Sequence, residues 1–349
     1  MTVIASVEDR NAIEAEMSWK DCAPAKTLYE FISKTAENYG ESDATSFQMF
    51  SAPNGAAETL NWRDLRLQVT QAANLFRGLG IGEKDVVAFL LPNSTETPVV
   101  MLGGAVAGIV CPINPLLDPA QIASILRDVG ARVVVTLRSF PKTDVAQKVS
   151  KALENAPDVQ TLLEIDLLRY IPWPKSWIIP FIRPKNPVRH AARIISFREE
   201  LQKQNTTLDF PDSAGDRVAA YFHTGGTTGM PKVVQHRYSG MIYNGWIGHR
   251  LLFRVQDNVI CPLPMFHVFA AHVVLMSMIA SGAHVVFPTP AGYRGDGVFD
   301  NFWKLIERWK ITFVITVPTA LSALMQRPVD ADISSVKTAF SGSSPLPIK

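Results

Sequence analysis

The chain has 349 residues, 47% of them hydrophobic, which is enough material for two or more domains with large apolar cores. Its 34 Lys and Arg nearly balance its 32 Asp and Glu, so the net charge of +2 gives no global case for nucleic-acid binding. The three cysteines, Cys22, Cys111 and Cys261, are odd in number and widely spaced, which argues against a disulfide framework and a zinc site. We therefore expect reduced, buried thiols in a cytoplasmic protein.

Two segments bear on secretion and membrane insertion. The first 21 residues carry acids where a signal peptide carries positive charge, and they lack the required apolar core. The window 268–287 is uncharged over roughly the 20 residues that a membrane span needs. Because Ser281 and Gly282 divide it into a helix-like and a β-branched part, we predict a buried helix followed by a buried strand.

Helices and short β-branched strands alternate along the first half of the chain. Apolar residues recur at helical spacing from 62 to 80, and the apolar run 86–93 predicts the strand that follows. A Gly- and Ala-rich helix, in which Gly103 and Gly104 predict close packing, precedes a strand at 109–114. A helix opened by Asp118-Pro119 precedes the strand 131–137. This alternation predicts an α/β fold with mainly parallel sheets.

Residues 167–198 differ from the rest in composition. They contain five prolines, two tryptophans and seven Lys or Arg, and they contain no acid. The prolines exclude a continuous helix and therefore a bilayer span. One interpretation is a proline-rich excursion packed over the domain. The other is a surface that contacts anionic lipid, because Trp and Phe beside basic residues suit the membrane interface.

The alternation of strands and helices resumes after Asp216. We predict a strand at 217–224 that runs into a Gly-rich turn, and later elements in the following order. These are a helix at 236–253, a strand beginning at 258, an amphipathic helix at 301–310 and a buried strand at 311–320. We place an N-terminal extension at 1–24, a first α/β subdomain at 25–210 and a second, incomplete subdomain at 211–349.

The segment 221–232, YFHTGGTTGMPK, carries the clearest chemical signal. Successive Gly and Thr residues after a strand allow backbone N–H groups and hydroxyls to converge on phosphate oxygens, and Lys232 can add a positive charge. It is not a Walker A loop, because no Gly-Lys-Ser/Thr ends it, and the fingerprint G-x-G-x-x-G is absent too. The residues alone leave open a flexible turn near a solvated lysine.

TGGTTGMPK, residues 224–232, resembles the phosphate loop of the adenylate-forming superfamily, which includes acyl-CoA synthetases, firefly luciferase and peptide synthetase adenylation domains. Further segments resemble that family in the same order along the chain, and the resemblance covers roughly residues 25–349. They are the helix-strand unit 60–94, PLPMFHVFAAH at 262–272, VPTALSALM at 317–325 and FSGSSPLP at 340–347. The resemblance implies the large N-terminal domain of these enzymes, with stacked α/β subdomains.

The resemblance also implies a reaction and an ATP site. Acyl-CoA synthetases activate a carboxylate by attack on the α-phosphate of ATP, release pyrophosphate and pass the acyl group to coenzyme A. Positioned donors and Mg²⁺ stabilise the charge that develops on phosphate. By resemblance, Lys232 and six loop residues bind the β- and γ-phosphates, and Thr228 is also assigned to Mg²⁺. The loop residues are Thr224, Gly225, Gly226, Thr227, Thr228 and Gly229.

An acyl-binding side is implied in the same way. His267 would orient the carboxylate end of the substrate, although a histidine that caps a strand end is the alternative. Small residues at the wall of a pocket allow an acyl chain or adenine to approach the backbone. The apolar residues near His267 favour a fatty acid over an amino acid or an aryl acid. The residues assigned to this side are His267, Pro318, Thr319, Gly342 and Ser343, whereas His223, His236, His272 and His284 are expected to be structural.

The printed residues contain none of the motifs that follow FSGSSPLP in the family, namely Tyr-Gly-x-Thr-Glu, Thr-Gly-Asp and the small C-terminal domain with its adenylating lysine. We therefore expect an N-terminal part with little or no ligase turnover of its own. Two alternatives stay open: another adenylate-forming ligase, such as one that loads a carrier protein, and a catalytically inactive module that binds nucleotide or lipid. The expected partners are ATP, a carboxylic acid and coenzyme A, without nucleic acid.

Overall fold

The computed structural model describes residues 6–16, 19–212, 215–224 and 232–345, apart from the side chains of Lys20 and Cys22. The α-helices are α1 (Val7–Ala15), α2 (Trp19–Cys22), α3 (Leu28–Tyr39), α4 (Trp62–Gly78), α5 (Glu96–Ala107), α6 (Pro119–Asp128), α7 (Val145–Leu153), α8 (Lys175–Ile182), α9 (Phe197–Leu201), α10 (Tyr238–Leu251), α11 (Leu275–Ser281), α12 (Val298–Trp309) and α13 (Pro318–Met325). The strands are β1 (Asp43–Gln48), β2 (Ala57–Asn61), β3 (Val86–Leu90), β4 (Ile109–Pro112), β5 (Ala131–Leu137), β6 (Thr161–Ile165), β7 (Arg193–Ser196), β8 (Val218–Thr224), β9 (Lys232–Arg237), β10 (Asn258–Ile260), β11 (His284–Phe287), β12 (Phe313–Thr316) and β13 (Thr338–Ser341). Two 3₁₀ turns span Leu167–Tyr170 and Gly292–Arg294, and a π-helical segment spans Phe269–Val274.

The described strands form two sheets, and both are mostly parallel. The first sheet has the order β7-β6-β5-β3-β4-β8-β9, and the second has the order β13-β12-β10-β11-β1-β2. Only the outer hairpins β1–β2 and β8–β9 pair in antiparallel fashion among these strands. The residues of β3 and β4 are all buried, as expected for parallel strands covered on both faces. The predicted α/β fold with mainly parallel sheets is therefore confirmed.

The strands of the first sheet are consecutive in the chain, and the strands of the second sheet come from before and after them. The first sheet uses residues between 86 and 237, whereas the second combines β1 and β2 with β10 to β13. The division predicted at residue 210 does not coincide with this arrangement, because β8 and β9 complete the first sheet. The parallel pairing of β1 with β11 brings residues from the start of the chain into the second sheet. Strand pairing of this kind depends on long-range contacts that the local pattern does not contain.

Several local signals in the sequence are confirmed by the structure. Asp118 accepts a hydrogen bond from the Gln121 amide, and Pro119 occupies the first turn of α6. A Cβ atom at Gly103 of α5 would lie 2.5 Å from the Cβ of Ala72 of α4. Any larger residue at position 103 would therefore push the two helices apart. The window 268–287 forms the π-helical segment, α11 and β11 in succession. No helix of the described ranges is long and apolar enough to cross a membrane.

The structure corrects the predicted start of one helix. The helix predicted to begin at His236 begins at Tyr238, because His236 and Arg237 pair with Ala220 and Val218 of β8. The N-terminal extension packs against α10, where Glu14 accepts a hydrogen bond from the Tyr243 hydroxyl at 2.7 Å.

Cys111 and Cys261 are buried free thiols, as expected, and burial raises the pKa of Cys261 to about 12.

Candidate functional site

The hairpin β8–β9 flanks the Gly- and Thr-rich segment. Thr224 and Lys232 are paired residues across the hairpin, both are exposed, and the Thr224 hydroxyl lies 3.5 Å from the carbonyl oxygen of Lys232. Since β8 runs parallel to β4, Thr224 lies at the carboxyl edge of the first sheet, where open parallel α/β sheets bind ligands. Residues 225–231, which include the predicted Gly225, Gly226, Thr227, Thr228 and Gly229, lie outside the described residues.

Four of the residues assigned to the acyl side follow two neighbouring parallel strands of the second sheet. Pro318 is the first residue of α13 and lies just beyond β12, whereas Gly342 and Ser343 follow β13. The Gly342 amide donates to the carbonyl oxygen of Thr316 at 3.2 Å, which joins the two strand ends. Pro318 is buried, and both Thr319 and Ser343 are exposed. The structure therefore brings these two segments together at one edge.

His267 approaches the same edge through Phe269. The Phe269 amide lies 3.5 Å from Nδ1 of His267, and a Cβ atom at Gly342 would lie 2.8 Å from Cζ of Phe269. The rings of Phe269 and Phe340 are 6.2 Å apart. His267 is exposed and seven residues beyond Ile260, the last residue of β10, so it does not cap that strand. Sequence reasoning missed Phe269, whose only signal was an aromatic residue two positions after His267.

The π-helical segment connects the hairpin with the acyl side. Phe222 of β8 contacts both His236 and His272, with ring centroids 5.1 Å apart in each case. His236 and His272 face each other with ring centroids 4.4 Å apart. Because the segment that carries His272 also carries Phe269, it touches the hairpin on one side and the Gly342 turn on the other. A π-helical turn is rare and often occurs at functional sites.

The histidines near this connection are electrically neutral. His272 is only 2% exposed, and burial, reinforced by the neighbouring His236, lowers its pKa to about 3. Burial also lowers the pKa of His236 and of His223. His284 contacts Ser46 and Asn258 through its two ring nitrogens at 2.8 and 3.1 Å, which fits the structural role expected for it. Within the described ranges, no group of three or more His, Cys, Asp or Glu could hold a metal ion.

Two surface cavities formed by described residues lie elsewhere. One of about 390 Å³ lies between α1 and the end of α10, and one of about 590 Å³ lies beside β6 and β7. In the larger cavity, Arg169 pairs with Glu96 at 2.7 Å and with Glu58 at 2.6 Å. Because Arg169 is already engaged by these two carboxylates, we assign no binding role to this cavity.

Comparisons with known proteins show the family of this chain. Residues 32–349 match the sequence model of a family described as AMP-binding enzyme. A marinolic acid–CoA ligase of Pseudoalteromonas sp. (strain SANK 73390) is 31% identical over 337 residues, which cover 93% of this chain and 48% of that protein. A long-chain-fatty-acid–CoA ligase of Bacillus subtilis (strain 168) is 26% identical over 341 residues, with coverages of 93% and 57%. The chain thus spans about half the length of these relatives.

A solved structure agrees with the fold. The crystal structure of the anthranilate CoA ligase AuaEII in complex with anthranoyl-AMP has a TM-score of 0.75 to this chain at 22% sequence identity. The superposition covers 95% of this chain and 57% of that chain. Solved N-terminal domains also resemble this chain, so the predicted architecture of the N-terminal domain of adenylate-forming enzymes is confirmed.

Proposed function

Because this chain belongs to the family of AMP-binding enzymes, we propose that it is the ATP- and acid-binding part of an acyl-CoA synthetase. The proposed reaction joins a carboxylic acid to AMP with release of pyrophosphate, and then transfers the acyl group to coenzyme A with release of AMP. The observation that carries the proposal is the hairpin register of Thr224 with Lys232. This pairing brings the two residues that flank the segment 225–231 together at the carboxyl edge of the first sheet.

We assign the phosphates of ATP to this hairpin. In the proposed complex, Lys232 neutralises the β- and γ-phosphates, and the hydroxyl of Thr224 and the segment 225–229 supply hydrogen-bond donors. Mg²⁺ would arrive with ATP, since this ion is usually held by substrate phosphates and one or two protein oxygens. Thr228 stays the proposed protein ligand.

We propose a fatty acid as the carboxylic acid. The three acyl-side segments, 262–272, 317–325 and 340–347, contain no Asp or Glu that could bind the α-ammonium group of an amino acid. A long-chain-fatty-acid–CoA ligase among the relatives supports this assignment. In the proposed complex His267 orients the carboxylate, and Pro318, Thr319, Gly342 and Ser343 form the wall of the acyl pocket.

An aryl acid is the second candidate. Phe269 and Phe340, whose rings are in tilted contact, lie beside Gly342, and aromatic side chains at the wall of a pocket can stack on a planar substrate. The anthranilate ligase to which this fold is similar acts on such an acid. Equilibrium binding of acyl-adenylate analogues with an alkyl or an aryl group would separate the two candidates. Tighter binding of the aryl analogue would overturn the fatty-acid assignment.

The phosphate role of Lys232 can be tested by substitution. Lys232→Ala should weaken MgATP binding by about 1.5–3 kcal/mol, because a charge-assisted contact is lost. Isothermal titration calorimetry of the 349-residue chain measures this loss. Lys84→Ala is the matched control, since Lys84 is an exposed lysine just before the amino end of β3. Equal affinities of wild type and Lys232→Ala would remove the phosphate role.

The reaction products test the proposed activity. We propose that the 349-residue chain alone binds ATP without turnover, since residues 1–349 contain no match to the motifs that follow FSGSSPLP in the family. Acid-dependent formation of AMP by this chain would contradict that proposal. In an assay of ligase activity, transfer of the acyl group to a phosphopantetheinyl carrier instead of coenzyme A would indicate a carrier-loading ligase. Release of ADP would indicate a hydrolase instead.

A further inference from the structure

Helix α8 turns an apolar face toward solvent. Trp177 is 74% exposed and Phe181 is 79% exposed, and Ile178 and Ile182 lie on the same side of the helix. Trp173, just before the helix, is 84% exposed. A helix on the surface of a globular protein normally directs its apolar face to the core. A contiguous exposed apolar surface of this kind marks an interaction site.

Contacts on the opposite side of α8 fix its orientation. Ile179 packs against the main hydrophobic core. Arg183, which follows α8, donates to both carboxylate oxygens of Asp166 at 2.8 and 2.7 Å and to the carbonyl oxygen of Ser139 at 2.7 Å. The segment after Arg183 is anchored too, because the Ser139 hydroxyl donates a hydrogen bond to the carbonyl oxygen of Pro184 at 2.6 Å. The apolar face is therefore presented by an anchored segment.

The segment that carries the apolar face has an excess of positive charge. Of the seven Lys and Arg between 167 and 198, Arg169 and Arg183 are paired with described carboxylates. Of the acids nearby, Glu154 is engaged by Lys151 at 2.6 Å. The sequence from 167 to 198 contains no acid of its own. The remaining cations are all exposed: Lys175, Lys185, Arg189, Arg193 and Arg198.

We propose that this face binds the surface of an anionic lipid membrane. The membrane-binding face consists of Trp173, Trp177, Ile178, Phe181 and Ile182, together with the exposed cations Lys175 at the start of α8 and Lys185 three residues after its end. Aromatic and aliphatic side chains enter the headgroup region of a bilayer while Lys and Arg attract anionic lipid. A second copy of the chain would bring the same positive charge to the contact, so it fits less well. The contact is peripheral, because eight residues of helix span only about 12 Å.

Vesicle co-sedimentation of the 349-residue chain tests the proposal. We expect sedimentation with vesicles of phosphatidylcholine and phosphatidylglycerol, little with phosphatidylcholine alone, and weaker binding at high salt. The double variant Trp177→Ser/Phe181→Ser should bind at least about tenfold more weakly, because its buried apolar area is lost. Lys175→Glu/Lys185→Glu should also weaken binding to the anionic vesicles.

The matched control is Phe50→Ser/Val329→Ser, which removes exposed apolar side chains far along the chain from α8. It should keep wild-type binding. Unchanged thermal unfolding of both double variants shows that folding is preserved, as expected for exposed positions. The proposal fails if neither vesicle type sediments the protein, if neutral vesicles bind equally well, or if the control loses binding to the same extent. A dimer that dissociates on Trp177→Ser/Phe181→Ser, seen by analytical ultracentrifugation, would also overturn it.

Discussion

Buried His272, which contacts half-buried His236, couples this part of the fold to pH. His272 stays neutral because charging it would place an unsolvated cation beside Phe222 and His236. Its folded-state pKa, about 3, lies below the ordinary value near 6.5. The unfolded chain therefore binds more protons than the folded chain between these two values. The stabilising contribution of the neutral ring is complete above about pH 6.5 and is lost as the pH falls toward about 3.

We predict that His272→Phe flattens the pH dependence of stability. Each such histidine lowers the free energy of unfolding by up to about 1.4 kcal/mol per pH unit below about pH 6. Urea unfolding of wild type and variant at several pH values between 7 and 4, roughly the titration window, measures the difference in slope. Phe222→Leu is the control, because it loosens the same contact without removing a titrating group. An unchanged slope in His272→Phe would contradict the prediction.

The sequence predicted some site residues and missed others for physical reasons. The residue types from Thr224 to Lys232 suit phosphate binding, so a local pattern was sufficient to propose a phosphate site there. The register of Thr224 with Lys232, and the contact of Phe269 with Gly342, depend on strands and turns that meet only in the folded chain. For that reason the aromatic connection through His272 had no signal in the sequence.

At the scale of elements, close packing of α10 on its neighbours depends on glycine. A Cβ atom at Gly245 would lie 2.6 Å from the carbonyl oxygen of Met276 and 2.9 Å from the ring of Phe31. Because the first of these atoms belongs to the backbone of α11, it cannot rotate away. At Gly240 on the same helix, a Cβ atom would meet nothing within 4 Å. The two positions therefore provide a matched pair.

We predict opposite effects of alanine at these two positions. Gly245→Ala should destabilise the protein by about 1–3 kcal/mol, since the added methyl group forces α10 away from α11. Gly240→Ala should stabilise it by about 0.5–1 kcal/mol, because alanine restricts the unfolded chain. Urea unfolding at pH 7 measures both. Equal stability of the two variants would show that the helix packing tolerates the methyl group.

Strand β1 shows why some elements could not be predicted. Five of its six residues are buried, although Thr45, Ser46 and Gln48 are polar. Ser46 contacts the His284 ring at 2.8 Å, and Gln48 accepts a hydrogen bond from the Trp309 indole at 2.6 Å. Burial of Ser46 and Gln48 is tolerated because these distant residues satisfy their polar groups, whereas the Thr45 hydroxyl has no hydrogen-bond partner among the described residues. By contrast, β3 and β4 can be predicted from their apolar runs alone, because their burial requires no hydrogen-bond partners for side chains.

At the scale of the whole molecule, contacts between distant parts of the chain hold each of the two sheets together. The guanidinium group of Arg217 donates to the carbonyl oxygens of Gly108, Ala105 and Val106 at 2.6 to 2.8 Å. This fixes the residue before β8 to the end of α5. Parallel pairing of β1 with β11 makes a second connection between the start of the chain and its later part.

We therefore predict that the chain cannot be divided at residue 210 into two folding units. The fragment 211–349 would lose β4 beside β8 and β1 beside β11, and Arg217 would lose its three carbonyl acceptors. A hairpin such as β8–β9 is marginally stable at best without further strands. Two-dimensional amide NMR spectra of the fragments 1–210 and 211–349, with the intact chain as control, test this. A dispersed spectrum and a cooperative urea transition for 211–349 alone would show that the second sheet folds without β1, and that the connections through Arg217 and β11 are dispensable.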